Sequence, residues 1–420
     1  MKRKLSLILC LVMLVGVFAV VLTACDKTPK GDEITLQVWG AEADQAFLKE
    51  VAESYQAANP DKKYDFLFGK QSESDAADKL LTDAERGADV FAFAGDQLNK
   101  LVQRGALARL GGSVLEEVKA NNTEASVAAC TLNIGGEDRT YAMPFTDNTY
   151  YVYYDKSKFN ENDLKTLDGI LAKCDAGHQF AMPLQDSWYI ASFYFGKDLG
   201  YEVTYDDKLS ETKITCDFDC PTGLAVTEAL FGYVQNPAMK PNSDDSKLIA
   251  GLEDGSIIAG VSGLWNASAI KEILKENFGC AVMPTYTLNE EQVQLKPFTG
   301  YKCIGVNSHS ANLAEAQKFA LFLNNYENQV KRFESRGYSP TNKEAIKLDK
   351  IKNDECVKVI QQQLSFSKTQ VGVPTTFWSP IETMGKAMVA TLQPNADPFD
   401  AQTQLTAAVN AIVKNATPAA

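Results

Sequence analysis

The sequence predicts an α/β protein whose body is divided between two lobes. Two observations carry that expectation: strand-like and helix-like patterns alternate along the start of the body, and the roughly 385 residues beyond the N-terminal leader exceed what one compact core usually serves. The first strand is marked by Ile34, Leu36 and Val38 alternating with Thr35 and Gln37. From Gln45 to Ala57, Phe47, Leu48, Val51 and Tyr55 recur at helical intervals, and Asn59-Pro60 closes the helix. Tyr64 to Phe68 alternates again, a helix is expected from about Asp75 to Arg86, and Asp89 to Phe93 is a short apolar strand. A βαβαβ order implies a parallel sheet. Ligands bind beyond the carboxyl ends of such strands, which singles out Glu42 and Asp44 after the first strand and Gly95 and Asp96 after the third. Acids at these positions also cap helices, so position alone does not assign their role.

Ahead of the body, Lys2, Arg3 and Lys4 precede an apolar run from Leu5 to Leu22, the layout of a signal peptide. Leu22-Thr23-Ala24-Cys25 resembles the lipobox, in which the cysteine is acylated and becomes the first residue. The expectation is a leader at 1–24, a lipid on Cys25, and a polar tether at 25–32 containing Pro29 and Gly31. The protein would then sit on the outer face of the cell membrane, anchored by that lipid alone. No other stretch approaches the roughly 18 to 20 apolar residues that cross a bilayer.

Loss of Lys2, Arg3 and Lys4 with the leader takes the formal charge from −13 to −16. So acidic a body argues against nucleic acid or anionic lipid as partner, since either would need a basic face that displaces counterions. Cys130, Cys174, Cys216, Cys220, Cys280, Cys303 and Cys356 remain beyond Cys25, an odd number that cannot all pair within the chain. They are read as packed or loop residues; Cys216 and Cys220 have no Cys or His following at zinc-ligand spacing, so no metal is expected. The two histidines, His178 and His309, fit no ligand spacing either, and the chain carries no Gly-x-Ser-x-Gly elbow, His-Glu-x-x-His motif or phosphate loop. No cofactor and no enzymatic activity are expected. A surface glycoside hydrolase or lyase is the rival class, resting only on acidic residues too numerous to single out a pair.

Ala88 to Asp96, followed by Leu101-Val102-Gln103-Arg104-Gly105-Ala106-Leu107, resembles a stretch of the maltose/maltodextrin-binding proteins, the extracytoplasmic receptors of ABC sugar importers. Four further stretches match in order: Tyr141 to Asp155, Gly255 to Trp265, Pro297 to Gly300, and Phe377-Trp378. The resemblance implies a periplasmic-binding-protein-like fold, with a ligand cleft between two lobes joined by a hinge. It places the N-terminal lobe at 33–145 plus 297–340 and the C-terminal lobe at 146–296 plus 341–415, with crossings near Phe145, residue 295 and Pro340. The implied partners are maltooligosaccharides, or another neutral oligosaccharide, and the permease subunits of an ABC transporter whose ATPase is a separate chain.

Trp188, Trp265 and Trp378 sit beside turn residues and match stacking aromatics of the family, while Trp39, inside a strand, belongs to the core. Such rings cover the flat C–H faces of sugars. By the same resemblance Asp96 accepts hydrogen bonds from sugar hydroxyls and Phe93 lines the cleft. The pattern also departs from the family. Gln97 stands where a basic residue is common, Asn148 takes the place of a glutamate with Asp147 beside it as a substitute, and Glu42 and Asp44 occupy an acid-base pair whose basic member is missing. Tyr301, after Phe298-Thr299-Gly300, is a further candidate. In Tyr150 to Tyr154, strand alternation sends Tyr150 and Tyr154 to one face and Tyr151 and Tyr153 to the other, as packing residues. Helices are expected from Leu313 to Tyr326, Ile381 to Leu392 and Pro398 to Lys414.

Overall fold

The computed structural model describes residues 33–174 and 177–414, so the leader, Cys25 and the tether lie outside the described residues. The chain opens as the alternation requires. β1 (Glu33–Gly40) leads into a helix at Gln45–Ala58, which turns Phe47, Leu48, Val51 and Tyr55 inward. β2 (Lys63–Lys70) follows, then a helix at Ala76–Thr82 and β3 (Val90–Ala94). The second helix is shorter than the sequence pattern suggests. Asp83 leaves it and its carboxylate accepts the Arg86 amide at 3.2 Å, a local turn that competes with further helix.

β4 (Thr131–Ile134) and β5 (Glu137–Thr140) make a hairpin ahead of β6 (Ala142–Asp155). Five strands come next: β7 (Gln179–Ala181), β8 (Tyr201–Tyr205), β9 (Glu211–Cys216), β10 (Met239–Lys240) and β11 (Ile257–Gly263). The last are β12 (Phe278–Ala281), β13 (Thr285–Leu288), β14 (Glu291–Gln294), β15 (Phe298–Val306) and β16 (Lys368–Thr369). Ten of these strands form one sheet, ordered β10-β7-β11-β6-β15-β3-β1-β2, with β12 added to β6 and β16 to β15. β1 is parallel to both β2 and β3, whereas β15 runs antiparallel to β3 and β6.

The core divides into two lobes. One set of apolar side chains runs from Leu36 through Met143 and Phe145 to Ile304 and Leu323, extended by a second group around Phe91, Leu101 and Cys303. The other spans Tyr150 to Ile412, with its own extension around Tyr151, Ile270 and Ile360. β6 serves both. Seven of its first eight residues pair with β15, Phe145 being passed over at a bulge, and its last six pair with β11 and β12. The tyrosine run divides as alternation dictates: Tyr150 and Tyr154 enter one cluster, Tyr151 and Tyr153 the other. The buried phenols of the run bond inside the protein: Tyr150 Oη donates to the Trp188 carbonyl at 3.0 Å, Tyr151 Oη meets Tyr153 Oη at 2.7 Å, and Tyr153 Oη donates to the Gly263 carbonyl at 2.9 Å.

The long helix expected from Leu313 ends at Leu323, and a second begins at Tyr326, because Asn325 caps it by accepting the Asn328 amide at 2.8 Å. The closing helices run Trp378–Ala390 and Ala401–Lys414.

Candidate functional site

The chain leaves β1 to form β2 on one side and then crosses back to form β3 on the other, so the carboxyl ends of β1 and β3 flank a switch point. Two short turns open there, Glu42–Asp44 after β1 and Gly95–Gln97 after β3. Glu42 is exposed and paired with Lys70. Asp44, by contrast, is 3% exposed and accepts hydrogen bonds from Arg332 Nη2 at 2.9 Å and Arg336 Nε at 3.1 Å. Burial works to raise its pKa, but the two guanidiniums and Lys302 outweigh burial and hold the carboxyl below its usual range.

The base absent beside Glu42 and Asp44 in sequence therefore arrives from far along the chain. Lys302 on β15 places Nζ 3.4 Å from Glu73 and 5.2 Å from the centre of the Trp265 ring. Arg332 lies between the rings of Phe145 and Tyr338, at 3.8 and 4.4 Å, and faces Glu73 at 3.7 Å.

Asp96 is half-buried, yet its Oδ1 is shut off from solvent and has no hydrogen-bond partner. Burial pushes its pKa up to about 7, with its own backbone amide, Gln370 and Lys100 pulling the other way. An acid whose pKa is raised by folding favours the folded state below its ordinary pKa near 3.8, and that contribution is lost as pH rises through about 7. A ligand whose hydroxyls donate to Asp96 selects the ionised form, so affinity should fall as pH drops from 8 to 5.5. In Asp96→Asn that slope should flatten; calorimetry at both pH values checks it, and equal slopes in the two proteins would remove Asp96 from ligand contact.

Asp147 and Asn148 sit on β6 opposite Tyr301 and Gly300 of β15. Asp147 accepts from Ser339 Oγ at 2.6 Å, and burial pushes its pKa up to about 6. Asn148 reaches Gln370 Oε1 at 3.4 Å, which links it to the same residue that acts on Asp96. Tyr301 is half-buried against the first lobe's core. Phe93 is fully enclosed, its ring 5.5 Å from Phe91, and presents no exposed face.

The second lobe supplies an aromatic wall. Trp265 follows β11, and Gly263 before it is required: a Cβ there would lie 2.0 Å from the indole, which folds back over the strand end. The Trp265 Nε1–H donates to Asp245 Oδ2 at 2.7 Å, fixing the ring's rotation. Trp188 enters a helix capped by Asp186, whose carboxylate accepts the Trp188 amide at 2.8 Å. Its ring lies 5.8 Å from Trp265 at 35°, and its Nε1–H is buried without a partner. Trp378 opens the helix Trp378–Ala390 and packs on Phe298 and Phe377 at 5.5 and 5.4 Å, apart from the other two indoles. A cavity of about 220 Å³ adjoins this wall, lined by Asp186, Tyr189, Asp245 and Glu382 among others.

The structure thus unites Trp188, Trp265 and Asp245 with the Lys302–Glu73–Arg332–Asp44 cluster. It links Asp96, Asn148 and Gln370 in a second group. Periodicity gave no sign of Lys302, Glu73, Arg332, Asp245 or Gln370, because single charged or amide residues in unremarked contexts carry no local pattern.

Similar proteins share the architecture. A structure solved with acarbose has a TM-score of 0.81 at 32% identity, over 91% of this chain and 99% of that one. The galactooligosaccharide-binding protein of Bacillus subtilis (strain 168) is 25% identical over 332 residues, 76% of each chain. The maltotriose-binding protein of Pyrococcus abyssi (strain GE5 / Orsay) is 23% identical over 319 residues, 74% of this chain and 66% of that protein. The sequence profile described as bacterial extracellular solute-binding protein matches residues 50–359, and the chain belongs to that family.

Proposed function

We propose that this extracytoplasmic protein captures neutral oligosaccharides, foremost of the maltose and maltodextrin type, in the cleft between its lobes and delivers them to an ABC importer. The observation that carries the reading is the pairing of Trp188 and Trp265 at 5.8 Å, with Trp265 fixed by Asp245. Flat C–H faces of a sugar stack on such rings while its hydroxyls bond at their edges, and the partnerless Nε1–H of Trp188 is a donor awaiting an acceptor.

Charged and amide groups on the other side, Asp96, Asn148 and Lys302, supply polar contacts, with Trp378, Asp147 and Tyr301 as further candidates. The lobes are assigned to 33–145 plus 297–340 and to 146–296 plus 341–415, and sugar contacts to both draw them together about a hinge. Raising a closed state from 1:99 to 99:1 requires a preference of roughly 5.5 kcal/mol. A lipid on Cys25 would hold the receptor near its permease, whose separate ATPase subunit drives uptake, and raise its effective concentration there.

A different neutral oligosaccharide is the second reading, favoured by the name of the Bacillus subtilis relative. Calorimetry against a panel of α-1,4-glucans and galactooligosaccharides, with product analysis afterwards, separates the readings. Maltotriose is expected to bind with a dissociation constant of order micromolar, about −8 kcal/mol. Binding by galactooligosaccharides alone would shift the cargo and keep the class, whereas cleaved product would replace a receptor with an enzyme.

A further inference from the structure

Two pairs of buried thiols lie side by side with no bond between them. Cys130 Sγ and Cys303 Sγ are 3.4 Å apart, and Cys280 Sγ and Cys356 Sγ are 3.6 Å apart. None of the four residues is more than 7% exposed. The partners are separated by 173 and 76 residues, so the tertiary fold, rather than local chain geometry, brings them together.

Each pair belongs to a single lobe. Cys130, just ahead of β4, meets Cys303 on β15 within the first lobe's core, beside Leu132 and Phe93. Cys280 on β12 meets Cys356, in the first turn of the helix Glu355–Gln363, within the second. A buried cysteine packs well as a small apolar residue, and one such contact would be ordinary core filling. Two contacts, each about 1.5 Å beyond the ~2.05 Å of a disulfide, in a protein that works outside the cytoplasm, point further.

We infer that Cys130–Cys303 and Cys280–Cys356 are two dithiol sites that oxidise to one disulfide in each lobe. With a disulfide donor such as oxidised glutathione the exchange balances. One cysteine thiolate attacks the donor and forms a mixed disulfide, releasing one glutathione; the second thiolate then displaces the other glutathione. Two protein S–H bonds become one S–S bond, and the donor is reduced to two thiols that carry the two protons.

Timing follows from burial. The thiolate is the reacting species, and in the folded protein burial, reinforced by Cys303, pushes the Cys130 thiol up. The contact with Cys356, followed by burial, does the same to Cys280. Exchange therefore proceeds while the chain is still open, and a chain folded as dithiols keeps them. Because neither bond joins the lobes, neither restrains their relative movement.

The test is to denature and reduce the full-length protein, refold it with mixed reduced and oxidised glutathione, trap thiols with iodoacetamide, and map peptides without reduction. Expected are linked peptides joining Cys130 to Cys303 and Cys280 to Cys356, with Cys216 and Cys220 alkylated. The protein before trapping should be about 4 Da lighter than its all-thiol form, two hydrogens per bond. Its melting temperature should be several degrees higher, a gain absent when the same chain is refolded in dithiothreitol. Alkylation of all four residues after oxidative refolding, or their linkage to other cysteines, would overturn the inference.

Discussion

Trp265→Ala is expected to weaken oligosaccharide binding at least tenfold, about 1.4 kcal/mol or more. The indole is held from three sides. Asp245 bonds its Nε1–H at 2.7 Å, Trp188 flanks it at 5.8 Å, and the Lys302 ammonium stands 5.2 Å above its face. A ring with so little rotational freedom presents a large apolar surface at small entropic cost, which is what a stacking platform requires. Truncation removes that surface and also leaves Asp245 Oδ2 without its donor, while Ser262 Oγ still bonds Oδ1 at 2.8 Å. Trp265→Phe keeps a ring but loses the Asp245 bond, so it should fall between wild type and alanine. Calorimetry with the tightest glycan of the panel measures both variants. Unchanged affinity in Trp265→Ala would place the sugar elsewhere.

The second large effect concerns stability. Arg332→Met should destabilise the protein by about 3–5 kcal/mol, because it strips the charge partner from carboxylates that have no water to fall back on. Arg332 is 2% exposed, Asp44 3% and Glu73 6%, so the cluster is almost dry. Arg336 remains on Asp44 Oδ1 and Lys302 on Glu73, which keeps the loss within that range. Methionine preserves much of the packing between Phe145 and Tyr338, making the change chiefly electrostatic. Adding Asp44→Asn should then recover part of the loss, since it removes one stranded charge. Urea unfolding of the single and double variants reads both quantities. A loss below about 1 kcal/mol in the single variant would mean that the ion pair merely offsets its own desolvation.

Much of the fold was legible because its signals are periodic. Phe47, Leu48, Val51 and Tyr55 announce one face of a helix, and Tyr150 to Tyr154 announce the two faces of a strand; both patterns reappear in the burial. Helix ends were less legible. Asp83 and Asn325 redirect the chain through single side-chain bonds to nearby amides, which hydrophobic spacing cannot register.

The site divides along the same line. Trp188 and Trp265 were visible as indoles beside turns, and the structure brings their rings together. Asp44 was visible by position but not by environment, since the arginines that enclose it lie 288 and 292 residues away. The structure also shows an arm the sequence did not suggest. The β8–β9 hairpin carries Leu209 into the first lobe's core and Ser210 to within 3.5 Å of Gln103.

The order of pairing in the sheet bears on when such a chain can fold. β3 waits for β15, whose Cys303 pairs with Phe93, and the first half of β6 waits for the same strand. The second lobe likewise needs Phe377, Ile381 and Leu405 to fill its core. Neither lobe can therefore close while the last third of the chain is unmade. Contacts spanning such sequence distances form slowly. The chain thus stays loose until nearly all of it has been made, with no completed lobe along the way.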